Sequence, residues 1–169
     1  MHTMARVGAC GAALAAALTT TLTNVEIIRA AAESGTTVVL DSSLRRCDFS
    51  LVTTGPRVPQ TGLGTGTAIV RHSGSTASAE VHLSDSPDPG AHFDVGLIQA
   101  PRPQAATCGP GDPGTAFGGL DLDGAGNGTV TVTEGLQPGA TGVWVIIERG
   151  DPHSQNPAEF YTSEFIAPV

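Results

Sequence analysis

Residues 77–99 read ASAEVHLSDSPDPGAHFDVGLIQ. In the first part Ala79, Val81 and Leu83 alternate with Glu80 and His82, and from Ala91 onward Phe93, Val95 and Leu97 alternate with His92 and Asp94. A period of two sends successive side chains to opposite faces of a strand, so each run buries one face and wets the other. Neither run has the three-and-four spacing of an amphipathic helix. The interval SDSPDPG reads as the loop of a hairpin. Laid side by side, the two strands share a core face, and Glu80, His82, His92 and Asp94 share the other. A register slip of two residues keeps that grouping, whereas a slip of one would put core residues in water.

The same alternation recurs outward from this stretch. Strands are predicted at 36–40, 47–53, 66–72, 77–83, 91–99, 128–134, 142–149 and 159–166, separated by turn sequences such as SGS, CGPGDPG, DGAGNG, QPGATG and DPHSQNP. No run after Ala32 keeps a helical apolar period for three turns, and 22 Gly with 12 Pro make up a fifth of the 169 residues. The expected fold is all-β, an antiparallel immunoglobulin-like β-sandwich of seven to eight strands, preceded by a signal-peptide helix. The length fits one domain. Strand 142–149 is apolar on both faces, which predicts a central position in its sheet. Its Trp144 is either a core residue or a ligand platform. With five Phe, one Tyr and one Trp in the chain, aromatics are too few for a typical stacking surface, which favours the core.

Ahead of these strands, Arg6 precedes an Ala-rich stretch from about Val7 to Leu22, and Ala30, Ala31 and Ala32 offer small residues for cleavage before Glu33. This is the layout of a secretory signal peptide over residues 1–32, leaving a single domain over 33–169. An uncleaved amphipathic anchor is the alternative. No transmembrane span is expected after cleavage, since about 20 strongly apolar residues are needed. No apolar segment precedes Cys10, so lipidation is not expected there.

All eight basic side chains are Arg, against sixteen acidic residues, for a formal charge of −8. Without lysine there is no Schiff-base chemistry and no Walker-type nucleotide site. The acidic balance has the wrong sign for nucleic acid. Residues 33–169 retain six Arg and fifteen acids, and are one unit more negative than the whole chain. They also retain only Cys47 and Cys108. In an exported domain a pair of cysteines predicts one disulfide, closing a loop of about 60 residues and contributing about 4 kcal/mol on the chain-entropy model. The alternative, a nucleophile or metal ligand, lacks CxxC spacing and an adjacent His.

Of the polar groupings, Glu80, His82, His92 and Asp94 are the sharpest. Opposed side chains in a hairpin sit about 5 Å apart at Cβ, near enough for two imidazoles and a carboxylate to share Zn²⁺ or Cu²⁺. The competing interpretation is a solvated face on which carboxylates neighbour two histidines. His72 stands at a strand end and adds little by spacing. The segment DLDGAGNG, Asp121–Gly128, opens like a calcium loop but carries Ala125 at the fifth position and Val132 at the twelfth, so a turn explains it equally well. Asn127-Gly128-Thr129 matches a glycosylation acceptor. GxSxG, HExxH and a helix-opening GxGxxG are absent, so no enzyme is expected. A Ser-His-Asp group built from distant strands leaves no local signature, and His72, His82, His92 and His153 are its candidate bases.

Export, Arg in place of every Lys, abundant Ala, Gly, Pro and Thr, and a single Cys pair together resemble the short exported proteins of unknown function of high-GC actinobacteria, including mycobacteria. That resemblance implies no catalytic residues. A second one is local. The run GLQPGATGVWVIIERGD, Gly135–Asp151, is similar to the copper-zinc superoxide dismutase segment in which a turn GLxPGxHG leads into a ligand-bearing strand FHVHExGD. Thr141 stands at the position of the turn His, Trp144 and Ile146 stand at the two strand His positions, and Gly150-Asp151 is one residue out of step. The ligands are absent, so dismutase activity is not implied; a Gly-Pro turn entering a buried sandwich strand is.

The resulting expectation is a secreted or envelope-associated, non-enzymatic binding or structural module without a cofactor, contacting an unknown protein or envelope component. Its contact loops would be Pro101–Gly114 and Gly150–Pro157. The alternative is a Zn or Cu protein using the His/carboxylate cluster.

Overall fold

The computed structural model describes residues 35–53 and 63–169, all within the unit Ala31–Val169. The predicted signal peptide, residues 1–32, lies outside the described residues. Nine strands follow one another: β1 (Thr36–Asp41), β2 (Thr65–Ser73), β3 (Thr76–Ser84), β4 (His92–Ala100), β5 (Thr115–Asp121), β6 (Asn127–Gly135), β7 (Gly142–Arg149), β8 (Glu159–Ser163) and β9 (Ala167–Pro168). They form one antiparallel sheet in the order β5-β4-β7-β8-β1-β2-β3-β6, with β9 added on β7. The terminal strands of that path, β5 and β6, are consecutive in the chain and face each other across a tight turn. A Cβ at Gly118 of β5 would lie 3.3 Å from Val132 of β6. The sheet therefore nearly closes into a barrel, open between β5 and β6 and with a second, narrow seam at β8, which meets β1 only through Leu40↔Ser163 and Asp41↔Thr162.

The alternating runs supply the interior. Ala77, Ala79, Val81 and Leu83 from β3 face Phe93, Val95 and Leu97 from β4, and Val143, Val145 and Ile147 from β7 join the same cluster. At about 25 cal/mol per Å² of apolar surface removed from water, this burial is the main term holding the sheet halves together. Strand β7 is buried along both faces, as its sequence predicts, because a second, smaller cluster of Ile98, Ala100, Trp144 and Ile146 covers its outer side. Phe49 and Cys108 pack onto that cluster, and the Cys47–Cys108 disulfide, with Cα atoms 5.5 Å apart, ties the covering segment down. Trp144 is accordingly a core residue.

Four expectations need correction. Strands β3 and β4 are not a hairpin: β3 lies between β2 and β6, and β4 between β5 and β7. Pro87 and Pro89 have no N–H to give and push their predecessors toward extended backbone. The Asp85 N–H is bound instead to the Gly126 carbonyl at 2.7 Å, so the segment crosses between sheet halves rather than turning back. Residues 47–53 are not a strand. Asp48 Oδ1 accepts from the Ser50 N–H and hydroxyl, Phe49 has φ of 69°, and only the Arg45↔Leu51 bridge remains. The third concerns β5, TAFGGLD, whose Gly118-Gly119 erases the alternation a reader would look for. The last is the predicted 159–166 strand, which ends at Ser163 before the short β9.

Candidate functional site

Because β3 and β4 are separated in the sheet, Glu80 and His82 do not meet His92 and Asp94 across a hairpin. The four make two groups. On β3 and its neighbours, Arg71 donates to Glu80 Oε2 at 3.0 Å, His82 Nε2 lies 3.2 Å from Glu80 Oε1, and His82 Nδ1 is 3.0 Å from the Thr129 hydroxyl. The guanidinium of Arg71 holds the Glu80 carboxyl below its usual range. The sequence Thr129-His82-Glu80 has the connectivity of a nucleophile, base and carboxylate. It lies on a water-exposed sheet face, with Arg71 committed to Glu80.

On the other group, His92 Nδ1 is 2.6 Å from Asp121 Oδ1 and its Nε2 is 3.8 Å from Asp94 Oδ1. The Asp121 hydrogen bond, aided by the charges of Asp121 and Asp94, raises the His92 pKa above its ordinary 6.5. Gly119 makes room for this ring: a Cβ there would come within 2.8 Å of His92 Cε1. With Asp121 engaged by His92, Asp123 Oδ1 accepts the N–H groups of Ala125 and Asn127 at 2.8 and 2.9 Å. The predicted calcium-like loop is thus a turn that consumes its own carboxylate, and those backbone bonds lower the Asp123 pKa. Among the described residues, no histidine ring is hydrogen-bonded to a serine.

The loop Pro101–Gly114 is heavily fastened. Arg102 donates to the carbonyls of Thr107, Pro113 and Gly114. Below it, Gln99 donates to the Gly135 carbonyl at 2.8 Å and accepts from the Gln137 N–H at 2.7 Å. The Thr115 hydroxyl lies 2.8 Å from the carbonyls of Gly109 and Asp112, and Cys108 fixes the loop to residue 47. Between this loop and the turn Gln137–Ala140 runs a cleft of about 410 Å³, with Pro101, Pro103, Pro113 and Pro138 in its walls. The second predicted contact loop, Gly150–Pro157, borders a smaller, acidic cleft of about 200 Å³ lined in part by Asp94, Glu148 and Asp151. Burial, then the Asp94 charge, pushes Glu148 upward.

One cluster escaped the sequence reading altogether. Asp85 and Asp88, in the crossover after β3, meet Glu159 at the start of β8, with one oxygen of each within 4.8 Å of the others. Asp85 is 1% exposed and Glu159 2%. Arg149 of β7 donates to Asp88 Oδ2 at 3.1 Å and Glu159 Oε2 at 3.0 Å, while the Tyr161 hydroxyl donates to Glu159 Oε1 and accepts from the Gly64 N–H at 2.8 Å. Neither oxygen of Asp85 accepts from an N–H or hydroxyl; the group beside it is the Glu159 carboxyl. Desolvation raises the pKa of both Asp85 and Glu159. The available signal was DSPD beside EFY, two short polar stretches 70-odd positions apart in sequence, which only a strand order can bring together.

No family model, curated protein or solved structure matches the chain.

Proposed function

We propose that this protein is an exported, non-enzymatic binding module of the secreted or envelope compartment, and that Pro101–Gly114 with its cleft is the contact surface toward a protein or envelope component. The observation that carries this reading is the fastening of that loop. A surface held by three Arg102 hydrogen bonds, the Gln99 bridge and a disulfide spends little conformational entropy on association, and loops on a rigid scaffold are the usual recognition surface. The disulfide is compatible with an oxidising compartment. The finer immunoglobulin-like assignment draws support from the strand order: β2-β3-β6 against β5-β4-β7-β8 follows the A-B-E and C′-C-F-G grouping, with β1 bridging β2 and β8.

A photo-crosslinking residue at Gln104, compared with one at Ser78 on the opposite sheet half, tests this in producing cells. A discrete adduct is expected from position 104, lost in Arg102→Ala, with none from position 78. Equal adducts from both positions, or none from 104, would overturn the assignment of this loop.

A further inference from the structure

We propose that Asp85, Asp88 and Glu159 hold one hard divalent cation of the calcium type at the end of the sheet where the β3–β4 crossover meets β7 and β8. Three carboxylates converge there, and among the described residues the only cationic side chain joined to them is Arg149. A doubly charged ion brings that group to neutrality; a single proton does not. The donors are all oxygens, with no His or Cys among them, which selects a hard ion over zinc or copper.

The second observation is Asp85. A carboxylate removed from water costs several kcal/mol unless something answers its charge, and buried polar atoms almost always have partners. Glu159 is answered by Tyr161 and Arg149, and Asp88 by Arg149. The Asp85 side chain, nearly inaccessible and pointing one oxygen into the same cluster, receives no N–H or hydroxyl donor at either oxygen and has only the Glu159 carboxyl beside it. It is not there by accident of a loose loop. The Asp85 N–H is bound by the Gly126 carbonyl, the Asp88 N–H by the Asp85 carbonyl at 3.2 Å, and the Ala91 N–H by the Asp88 carbonyl at 3.2 Å. Gly126 has φ of 79°, and a Cβ on it would stand 2.3 Å from the Asp85 carbonyl oxygen, so a glycine at this point is what permits the crossover to be drawn in. Arg149 and Tyr161 act as positioning residues: each occupies one lone pair of a Glu159 oxygen and leaves others for an ion.

Tyr161 is the chain's single tyrosine and touches a proposed ligand, which supplies a probe. Full-length protein freed of metal by chelation is titrated with Tb³⁺, exciting the aromatic side chains. Saturable emission at one ion per chain, displaced by Ca²⁺, is expected; Tyr161→Phe should lose most of the emission while Ca²⁺ still raises its melting temperature. Asp85→Asn should bind at least about tenfold more weakly and yet unfold cooperatively. If Asp85→Asn fails to fold, Asp88→Asn, at a half-buried position, carries the same comparison. No Tb³⁺ emission together with a melting temperature unmoved by millimolar Ca²⁺, or emission and stabilisation unchanged in the folded Asp variant, would overturn the site and leave shared protons as what neutralises these carboxylates.

Discussion

At the scale of single residues, Asp85 is the most consequential side chain because its burial has a sign. Desolvation raises the folded-state pKa of Asp85 and Glu159 above ordinary carboxylate values. A metal-free folded chain therefore keeps protons that the unfolded chain releases. Stability is then greatest below the ordinary carboxylate range and falls as pH rises through the raised values. In chelator, the melting temperature is expected to be higher just above the ordinary carboxylate range than at neutrality, a gap of about a few degrees. Asp85→Asn should remove most of that gap. His92 contributes in the same direction, since its raised pKa gives stability below its unfolded value that is lost as pH rises through the folded one, but it is exposed to solvent and contributes little. A wild-type gap unchanged by Asp85→Asn would assign the pH dependence elsewhere.

At the scale of elements, the informative piece is the segment around Cys47, which looks like a strand by alternation and behaves as a cover. Arg45 lies over the Phe49 ring, with its guanidinium carbon 4.0 Å from the centroid, and Phe49 meets Trp144 edge-on at 5.5 Å. Arg45 also donates to the carbonyls of Ser163, Phe49 and Glu164. Removing the disulfide with Cys47→Ser and Cys108→Ser together should cost about 2–5 kcal/mol, read as a fall in the denaturation midpoint, and should raise Trp144 fluorescence quenching by acrylamide as the cover loosens. An unchanged midpoint would mean that packing alone holds the cover. The sequence made the strands β2, β3, β4, β6 and β7 legible because each has one apolar and one polar face, or two apolar faces, to announce it. It hid β5, where two glycines carry no side chain to read, and it misassigned 47–53, where a short Asx turn overrides alternation. Faces were legible and neighbours were not. Periodicity says which side of a strand is buried, while the choice of partner for β3 depends on prolines and a Gly126 hydrogen bond acting far along the chain. The hairpin expected to set Glu80 and His82 opposite His92 and Asp94 is replaced by other pairings for that reason, and the acidic cluster was invisible for the same one.

At the scale of the whole molecule, the described residues form an acidic chain with both clefts and the carboxylate cluster supported by loops, and its sheet faces paved with short charged and hydroxyl side chains. Among those residues no helix is long and apolar enough to cross a membrane. If residues 1–32 direct export and are removed, the protein recovered from outside the cytoplasm should begin at Glu33 by intact mass, two hydrogens lighter than its reduced form. A recovered chain still beginning at Met1 would instead favour the uncleaved anchor.

The seam at β8 has a consequence in time. Leu40 finds its sheet partner at Ser163, more than a hundred residues later, and a pairing so distant in sequence closes slowly because loop entropy must be overcome first. Strand β1 therefore lacks that neighbour until β8 has left the ribosome, so the sheet stays unclosed while the residues between the two strands are made. Over that interval the chain remains threadable, and its sheet closes only where β8 emerges.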